Sequence, residues 1–380
     1  MQVRQLSLTL QAQYRLHYYM NNIKRIVLTG GPCAGKTTAL VKIIDHFSSL
    51  GFKVFTIPEI PTLFLQGGMD YLTSNRKFFI TGEKATLQTQ LFLEDKFMEM
   101  ACSSGSKAFI VCDRGTMDIS AYMDEALWQD ITKAVGTDNS QLFQRYDAVL
   151  HLVSAADGAE EFYTTANNKQ RSEGLEGARR LDKRITEAWT GHPHLRVINN
   201  HENFDNKIKR VIAEISNVLG LPQPIVEERK YIVTTQGDMP DTNISKITQT
   251  YLVSDPDCEV RLRKREWADK CIYVHTIKKQ VSAKEQVETE RQINHNLYDQ
   301  LLRQADPYRH TITKIRNSFI WKGQFFELDT YQEPVSGLQI LETKGITPQE
   351  QVNFPPFIKV EQDITGNPQY ENYNIALGHR

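Results

Sequence analysis

The stretch Gly30-Gly31-Pro32-Cys33-Ala34-Gly35-Lys36-Thr37 satisfies the pattern G-x4-G-K-[ST]. The apolar run "RIVLT" precedes it, and "KTTALVKIIDHFSSLG", with apolar residues at helical spacing, follows it. A strand that ends in a glycine loop and opens a helix constrains both fold and use. Glycines let backbone N–H groups turn inward around phosphate oxygens, and the helix N-terminus adds a favourable field. Gly30, Gly31 and Gly35 shape the loop. Lys36 is expected to reach the β and γ phosphates and the Thr37 hydroxyl to ligate Mg²⁺, with Thr38 also at the nucleotide.

From Lys24 to about Gly220 strand-like and helix-like segments alternate. "FKVFTIPE", "KAFIVCDRG" and "YDAVLHLVSA" read as strands, and "KATLQTQLFLEDKFMEMACSSG" as a long helix. That alternation predicts an α/β domain, a parallel sheet with helices on both faces, over residues 23–220. Residues 1–22 read as an extension leading into the first strand. Gly220, Pro222 and Pro224 make a linker. Residues 225–380 are rich in period-2 segments such as "EVRLRKRE", "CIYVHTIKK" and "QFFELDTYQ", interrupted by one helix, "RQINHNLYDQLLRQA". They predict an α+β domain built on an antiparallel β-barrel or sandwich.

Three further features fall in the first half. Asp113 ends the buried strand "AFIVCD", where a carboxylate meets the magnesium shell of a P-loop site. Glu59 closes the preceding strand at the same sheet edge, either as a base toward a phosphoryl acceptor or as a structural strand-end carboxylate. The basic run "KQRSEGLEGARRLDKR" reads as a solvated helix or as a lid over the nucleotide, with Arg171 and Arg179 the catalytic candidates.

The loop, "PE" after the second strand, "DRG", the basic run and "EAWTGHPHLRVINN" together resemble the P-loop kinase-like domains related to nicotinamide riboside kinase and the nucleoside kinases. That resemblance implies a base at Glu59 and magnesium and phosphate handling by Asp113 and Arg114. No N-K-x-D guanine motif is present, so GTP and ATP both stay open as the nucleotide.

Bulk properties narrow the partners. A net charge of −1 gives no global field toward nucleic acid. The five cysteines are scattered without metal-ligand spacing, which fits a reducing, cytoplasmic setting. No run of about 18 apolar residues predicts a transmembrane helix.

The second half carries charged pairs at i, i+2, which project to one strand face. Arg261 and Arg263, and Lys314 and Arg316, are basic; Glu288 and Glu290, and Glu327 and Asp329, are acidic. A barrel with a polar lumen would set the acids around Mg²⁺ or Mn²⁺ and the cations around polyphosphate. The order "VEERKYIV", "EVRLRKR", "YVHTIKK", "VETERQI", "TKIR", "FELD", "LQILETKG" resembles the CYTH, or triphosphate tunnel, superfamily. It implies an eight-stranded antiparallel tunnel. Lys230, Arg261, Arg263, Lys278, Lys314 and Arg316 would face phosphate. Glu228, Glu288, Glu290, Glu327, Asp329 and Glu342 would face the metal. The opening E-x-E-x-K is interrupted, because Val226 stands at its first acidic position.

A kinase-like P-loop domain joined to such a tunnel is similar to the TRPL translocation defect protein family. The resemblance implies a GTP-binding switch whose tunnel takes an anionic phospholipid headgroup, such as phosphatidic acid, in membrane trafficking with peripheral contact on endomembranes. The alternative is a bifunctional enzyme, with a small-molecule kinase in the first half and an Mg²⁺- or Mn²⁺-dependent triphosphatase in the second.

Overall fold

The structure is a computed structural model that describes residues 23–163, 174–224, 228–237, 239, 243–267, 270–282, 285–322, 324–343 and 351–378. The expected extension at 1–22, Arg171 and Val226 lie outside the described residues. Two compact units meet between Ile212 and Ala213, inside a helix, whereas the sequence places the linker at Gly220–Pro224.

The first unit runs β1 (Lys24–Thr29), α1 (Lys36–Ser49), β2 (Lys53–Ile57), α2 (Ile60–Gln66), α3 (Arg76–Ser103), β3 (Ala108–Asp113), α4 (Glu125–Val135), α5 (Asn139–Phe143), β4 (Ala148–Leu152), α6 (Leu175–Trp189), β5 (Leu195–Ile198) and α7 (Phe204–Val218). The five strands are parallel, in the order β2-β3-β1-β4-β5. Strands β1, β3 and β4 are buried almost throughout, as helices on both faces require. Helix α1 turns Ala39, Ile43 and Phe47 inward, one residue per turn. Leu28 pairs with Asp113, so the loop after β1 and the end of β3 emerge side by side at the carboxyl edge. Helix α3 begins earlier than its apolar run, because the Asn75 side chain caps it by accepting the Phe78 N–H at 3.1 Å.

The second unit comprises β6 (Gln223–Pro224), β7 (Arg229–Thr235), β8 (Asn243–Leu252), β9 (Cys258–Trp267), β10 (Lys270–Gln280), β11 (Glu285–Ile293), α8 (His295–Leu302), β12 (Ile312–Trp321), β13 (Gln324–Glu333), β14 (Gln339–Thr343), β15 (Ile358–Asp363) and α9 (Asn372–Ile375). Its sheet orders them β15-β7-β14-β13-β12-β8-β9-β10-β11-β6. The eight expected strands are the contiguous set β7–β14, and β6 and β15 extend the two ends. The helix expected from Arg291 starts later: Arg291–Ile293 pair with β10, and Asn294 caps α8 by accepting the Leu297 N–H.

The two faces of this sheet differ in kind. Leu262, Leu252, Ile293 and Tyr298 form one apolar cluster with α8 residues. Tyr231, Phe319, Phe326, Leu328 and Leu341 form another with Val352 and Phe357. The alternate positions, among them Lys230, Arg265, Lys314, Arg316, Glu327, Asp329 and Glu342, are charged and buried.

Candidate functional site

A cavity of about 1300 Å³ opens at the carboxyl edge of the parallel sheet. Gly35, Lys36, Thr37, Thr38, Glu59, Asp113 and Arg114 all line it, so seven sequence-predicted residues meet in one place. Gly30 and Gly31 stand behind its wall. Gly30 has φ +139°, and a Cβ there would run into the Leu152 carbonyl oxygen. At Gly31 a Cβ would lie 2.6 Å from Asp182 Oδ1. Only glycine fits either position.

The loop's carbonyl oxygens are satisfied by Lys36 and by residues of neighbouring segments. Lys36 Nζ donates to Gly30 O at 2.9 Å and to Gly31 O at 3.3 Å. Ser154 Oγ donates to Pro32 O and the Ala155 N–H to Cys33 O. Lys207 Nζ donates to Ala34 O, Val153 O and Asn200 Oδ1. The Gly31 N–H donates to Asp182 Oδ1 at 2.6 Å. The N–H groups in the first turn of α1 have no intrahelical acceptor and point toward the loop, which makes an anion site.

Burial and the Arg114 charge push the Lys36 ammonium down to about 8, against the pull of Asp113, Glu59 and Asp118. Burial likewise pushes Lys207 down to about 7. Glu59 behaves in the opposite sense. Burial alone would raise it, but Arg114 and Lys36, with the Thr62 hydroxyl, hold it down at about 2. Arg114 Nε donates to Glu59 Oε1 at 2.5 Å. Glu59 is therefore an ion-paired carboxylate and a weak base in this arrangement.

Asp113 is raised, by burial first and then by Glu59 and Asp118, against Lys36 and Arg114. Its Oδ1 is buried without a hydrogen-bond partner. An orphaned carboxylate oxygen in the same cavity as the exposed Thr37 fits a hard divalent cation that takes its remaining ligands from phosphate and water.

Arg179 is not among the cavity's lining residues. It bonds to Glu160, Glu176 and the Ala156 carbonyl. Lys183 pairs with Glu187, and Arg184 donates to Met123 O. Over its described residues, then, the basic run is a helix tied to its own surroundings. Sequence reasoning passed over Asp182 and Lys207, which hold the loop from α6 and α7. It also missed a stripe on α3, where Phe79, Glu83, Thr86 and Gln90 line the cavity at spacings of four, three and four.

In the second unit the buried charges pair with one another. Arg316 makes two bonds to Asp329, at 2.7 and 2.6 Å, one to Glu327 at 2.7 Å, and a longer one to Glu342 at 3.5 Å. Lys314 pairs with Asp329 at 2.6 Å, and Lys230 with Glu371 at 2.8 Å. Glu228 lies near enough to Lys230 to favour its charged form. Arg261 meets Glu288 at 3.1 Å, while Glu290 stands at 3.9 Å from Arg261 and 3.8 Å from Arg263. Lys278 faces Glu259 and Glu288 in the strand register.

The expected metal-side set does not fit a metal as arranged. Arg316 occupies the centre of Glu327, Asp329 and Glu342. Among the described residues no group of three His, Cys, Asp or Glu is placed to hold an ion.

Arg265 extends the predicted Arg261–Arg263 row by one more i, i+2 step, a signal legible in "RLRKREW". It is buried, its Nε donates to Ser245 Oγ, and burial pushes it down to about 10. Arg263 is lowered as well, by burial and then by Arg261. Both remain cations at neutral pH.

Among the described residues no helix is long and apolar enough to cross a membrane. No curated protein matches the chain. A solved structure described as the hypothetical protein NE1496 is 26% identical, covering 40% of this chain and 98% of its own, with a TM-score of 0.31. One described as the inorganic triphosphatase NE1496 is 27% identical over 40% of this chain and 95% of its own, also with a TM-score of 0.31. The PH1819 protein of Pyrococcus horikoshii OT3 is 16% identical over 32% and 79%, with a TM-score of 0.25. The family model for the AAA domain matches residues 25–207. The chain thus carries an N-terminal AAA-type P-loop domain, followed by a mostly antiparallel sheet domain consistent with a CYTH-like tunnel fold.

Proposed function

We propose that the N-terminal unit is a phosphotransferase that moves a phosphoryl group from GTP or ATP to a small-molecule acceptor. The size and continuity of the cavity carry this reading. At about 1300 Å³ it exceeds the roughly 300–1,000 Å³ of an ordinary single-ligand pocket. It runs from the phosphate loop to a lobe formed by α2, α3 and the segment between them, and so has room for a nucleotide and an acceptor together. Lys36 and Arg114 supply positive charge to the transferring group, and Thr37 and Asp113 would hold Mg²⁺, whose charge offsets that of the phosphates when bound. Glu59, fixed by Arg114, orients the acceptor hydroxyl as a hydrogen-bond acceptor. A loose phosphoryl-transfer transition state asks little more of a base.

The test has two stages. Calorimetric titration of the full chain with GTP and ATP in Mg²⁺ is expected to show binding that Lys36→Met abolishes. Incubation with γ-labelled nucleotide and a pool of nucleosides and small alcohols is then expected to yield a labelled acceptor. Binding with no label transferred to any acceptor, only slow release of phosphate, would favour the regulatory switch implied by the TRPL-type resemblance.

For the second unit a polyphosphate ligand is the reading that the arginine row favours. Arg263 and Arg265 are the least compensated cations of the buried face, while Lys314, Arg316 and Lys230 already hold carboxylates. An anionic phospholipid headgroup offers the same phosphate chemistry. Thermal shift with tripolyphosphate against flotation with phosphatidic acid vesicles separates the two. Stabilisation by tripolyphosphate that is lost in Arg263→Ala, without flotation, supports the polyphosphate; flotation lost in Arg263→Ala supports the lipid.

A further inference from the structure

Glu83 stands apart from the other acids of the cavity. It projects from the N-terminal third of α3, is 4% exposed, and has no hydrogen-bond or ion-pair partner among the described residues. Burial alone pushes its carboxyl up to about 7. A carboxyl taken out of water without a partner destabilises the fold by its desolvation cost. The neighbouring acids are engaged: Glu59 holds Arg114, and Asp118 accepts from Thr29 and from the Gly115 N–H.

Around Glu83 the wall changes character. Pro61, Leu65, Leu72 and Phe79 give it an apolar lining, with Leu72 71% exposed. The Tyr71 hydroxyl is already committed to Thr86 at 2.7 Å. Among the described residues the wall carries six carboxylates (Glu59, Glu83, Asp113, Asp118, Glu161, Glu202) against three cations, Lys36, Arg114 and Lys207. Lys36 and Arg114 sit at the phosphate end and Lys207 is bonded to the loop carbonyls, so among the described residues no wall cation belongs to the lobe that holds Glu83.

The geometry points to this lobe as a second ligand subsite that takes a small molecule with an apolar body and a cationic nitrogen, the nitrogen seated on Glu83. Its ligand would be the phosphoryl acceptor, and that role rests on the phosphotransferase reading; the binding itself does not. The apolar body displaces water from Leu65, Leu72 and Phe79, and the cation supplies the counter-charge that the fold withholds from Glu83.

Three probes of one shape and different charge test this on the full chain at pH 8, where Glu83 is ionised: benzamidine, benzamide and benzoate, followed by ligand-observed NMR. Benzamidine is expected to bind at least tenfold more tightly than benzamide, with benzoate undetected. Glu83→Gln is expected to weaken benzamidine at least tenfold while melting no lower than the parent, because it removes an unpaired buried charge. Equal binding of benzamidine and benzoate, or benzamidine binding unchanged in Glu83→Gln, overturns the proposal. Benzamide binding as tightly as benzamidine overturns the cationic assignment. Benzamidine bound at Glu83 in a protein that transfers no phosphoryl group keeps the subsite and removes the phosphotransferase reading.

Discussion

Replacing Arg316 by Met is expected to destabilise the C-terminal unit by about 3 kcal/mol at neutral pH, and by less as the pH falls. Two of its bonds go to Asp329, which is fully buried, and a third goes to Glu327, each at 2.6–2.7 Å. Breaking a buried ion pair from one side costs roughly 3–5 kcal/mol, because the remaining charge is stranded. Lys314 still reaches Asp329 at 2.6 Å, which places the loss at the lower end.

The pH dependence separates this account from simple loss of packing. In the parent, burial would raise the Asp329 carboxyl, but Arg316 and Lys314 together hold it well below the usual carboxylate range. Its folded pKa is depressed, so its contribution is present above the unfolded value of about 3.9 and is lost only as pH falls through the folded value. The parent is therefore flat between pH 7 and pH 5 as far as this group is concerned. In Arg316→Met the crowded acids lose their main cation and their folded pKa values rise above the unfolded ones. The variant then gains stability as pH drops from 7 to 5. Scanning calorimetry at both pH values reads this directly. At about 2–4 °C per kcal/mol for a unit of this size, the midpoint falls by roughly 6–12 °C at pH 7 and by visibly less at pH 5. A fall of under about 2 °C at pH 7, or equal falls at the two values, refutes the stranded-charge reasoning.

Other perturbations probe the first unit. Lys207 has a folded pKa near 7, below its unfolded value, so the unfolded chain binds more protons between the two and stability rises with pH across that window. Urea midpoints at pH 7 and 9 should show Lys207→Met losing about 2 kcal/mol of that rise; an unchanged slope counts against it. Glu59→Gln is expected to lower turnover about 100-fold with the nucleotide KM within about twofold. In the parent no acid limb from Glu59 should appear near pH 4.5, since Arg114 and Lys36 hold it at about 2. Asp182→Asn weakens the charge-assisted bond that fixes the Gly31 N–H, and should cost about tenfold in nucleotide affinity by calorimetry. Affinity equal to the parent's would show that the loop holds its shape without Asp182.

The phosphate loop and Asp113 were legible because their chemistry is local: a strand, a glycine turn and a helix start lie consecutively in the chain. The supports of that loop were not. Asp182 is 151 residues from Gly31 and Lys207 is 173 from Ala34, and only the parallel sheet brings their helices to its carboxyl edge. Arg179 was drawn into the site by its charged neighbourhood, yet Glu160 and Glu176 account for that charge. In the second unit, period-2 charge found the enclosed face of the strands. It could not say which cations face which acids, because strand register is set by cross-strand packing rather than by the sequence of any one strand. Arg265 continues the Arg261–Arg263 alternation, but its partner Ser245 lies 20 residues away on a neighbouring strand, a contact that only the strand register reveals.

Helix α3 carries two buried glutamates with opposite circumstances. Glu83 has no hydrogen-bond or ion-pair partner among the described residues, while Glu94 receives bonds from Arg25, Gln90, Arg145 and Tyr146, drawn from three separate stretches of chain. Tyr146 in turn accepts the Thr116 N–H, just beyond Asp113 and Arg114. Pooled variants of this one helix, scored separately for cellular abundance and for activity, would therefore divide by position. Changes at residue 94 should vanish from both scores, because they unfold the chain. Changes at residue 83 should stay abundant and disappear from the activity score alone.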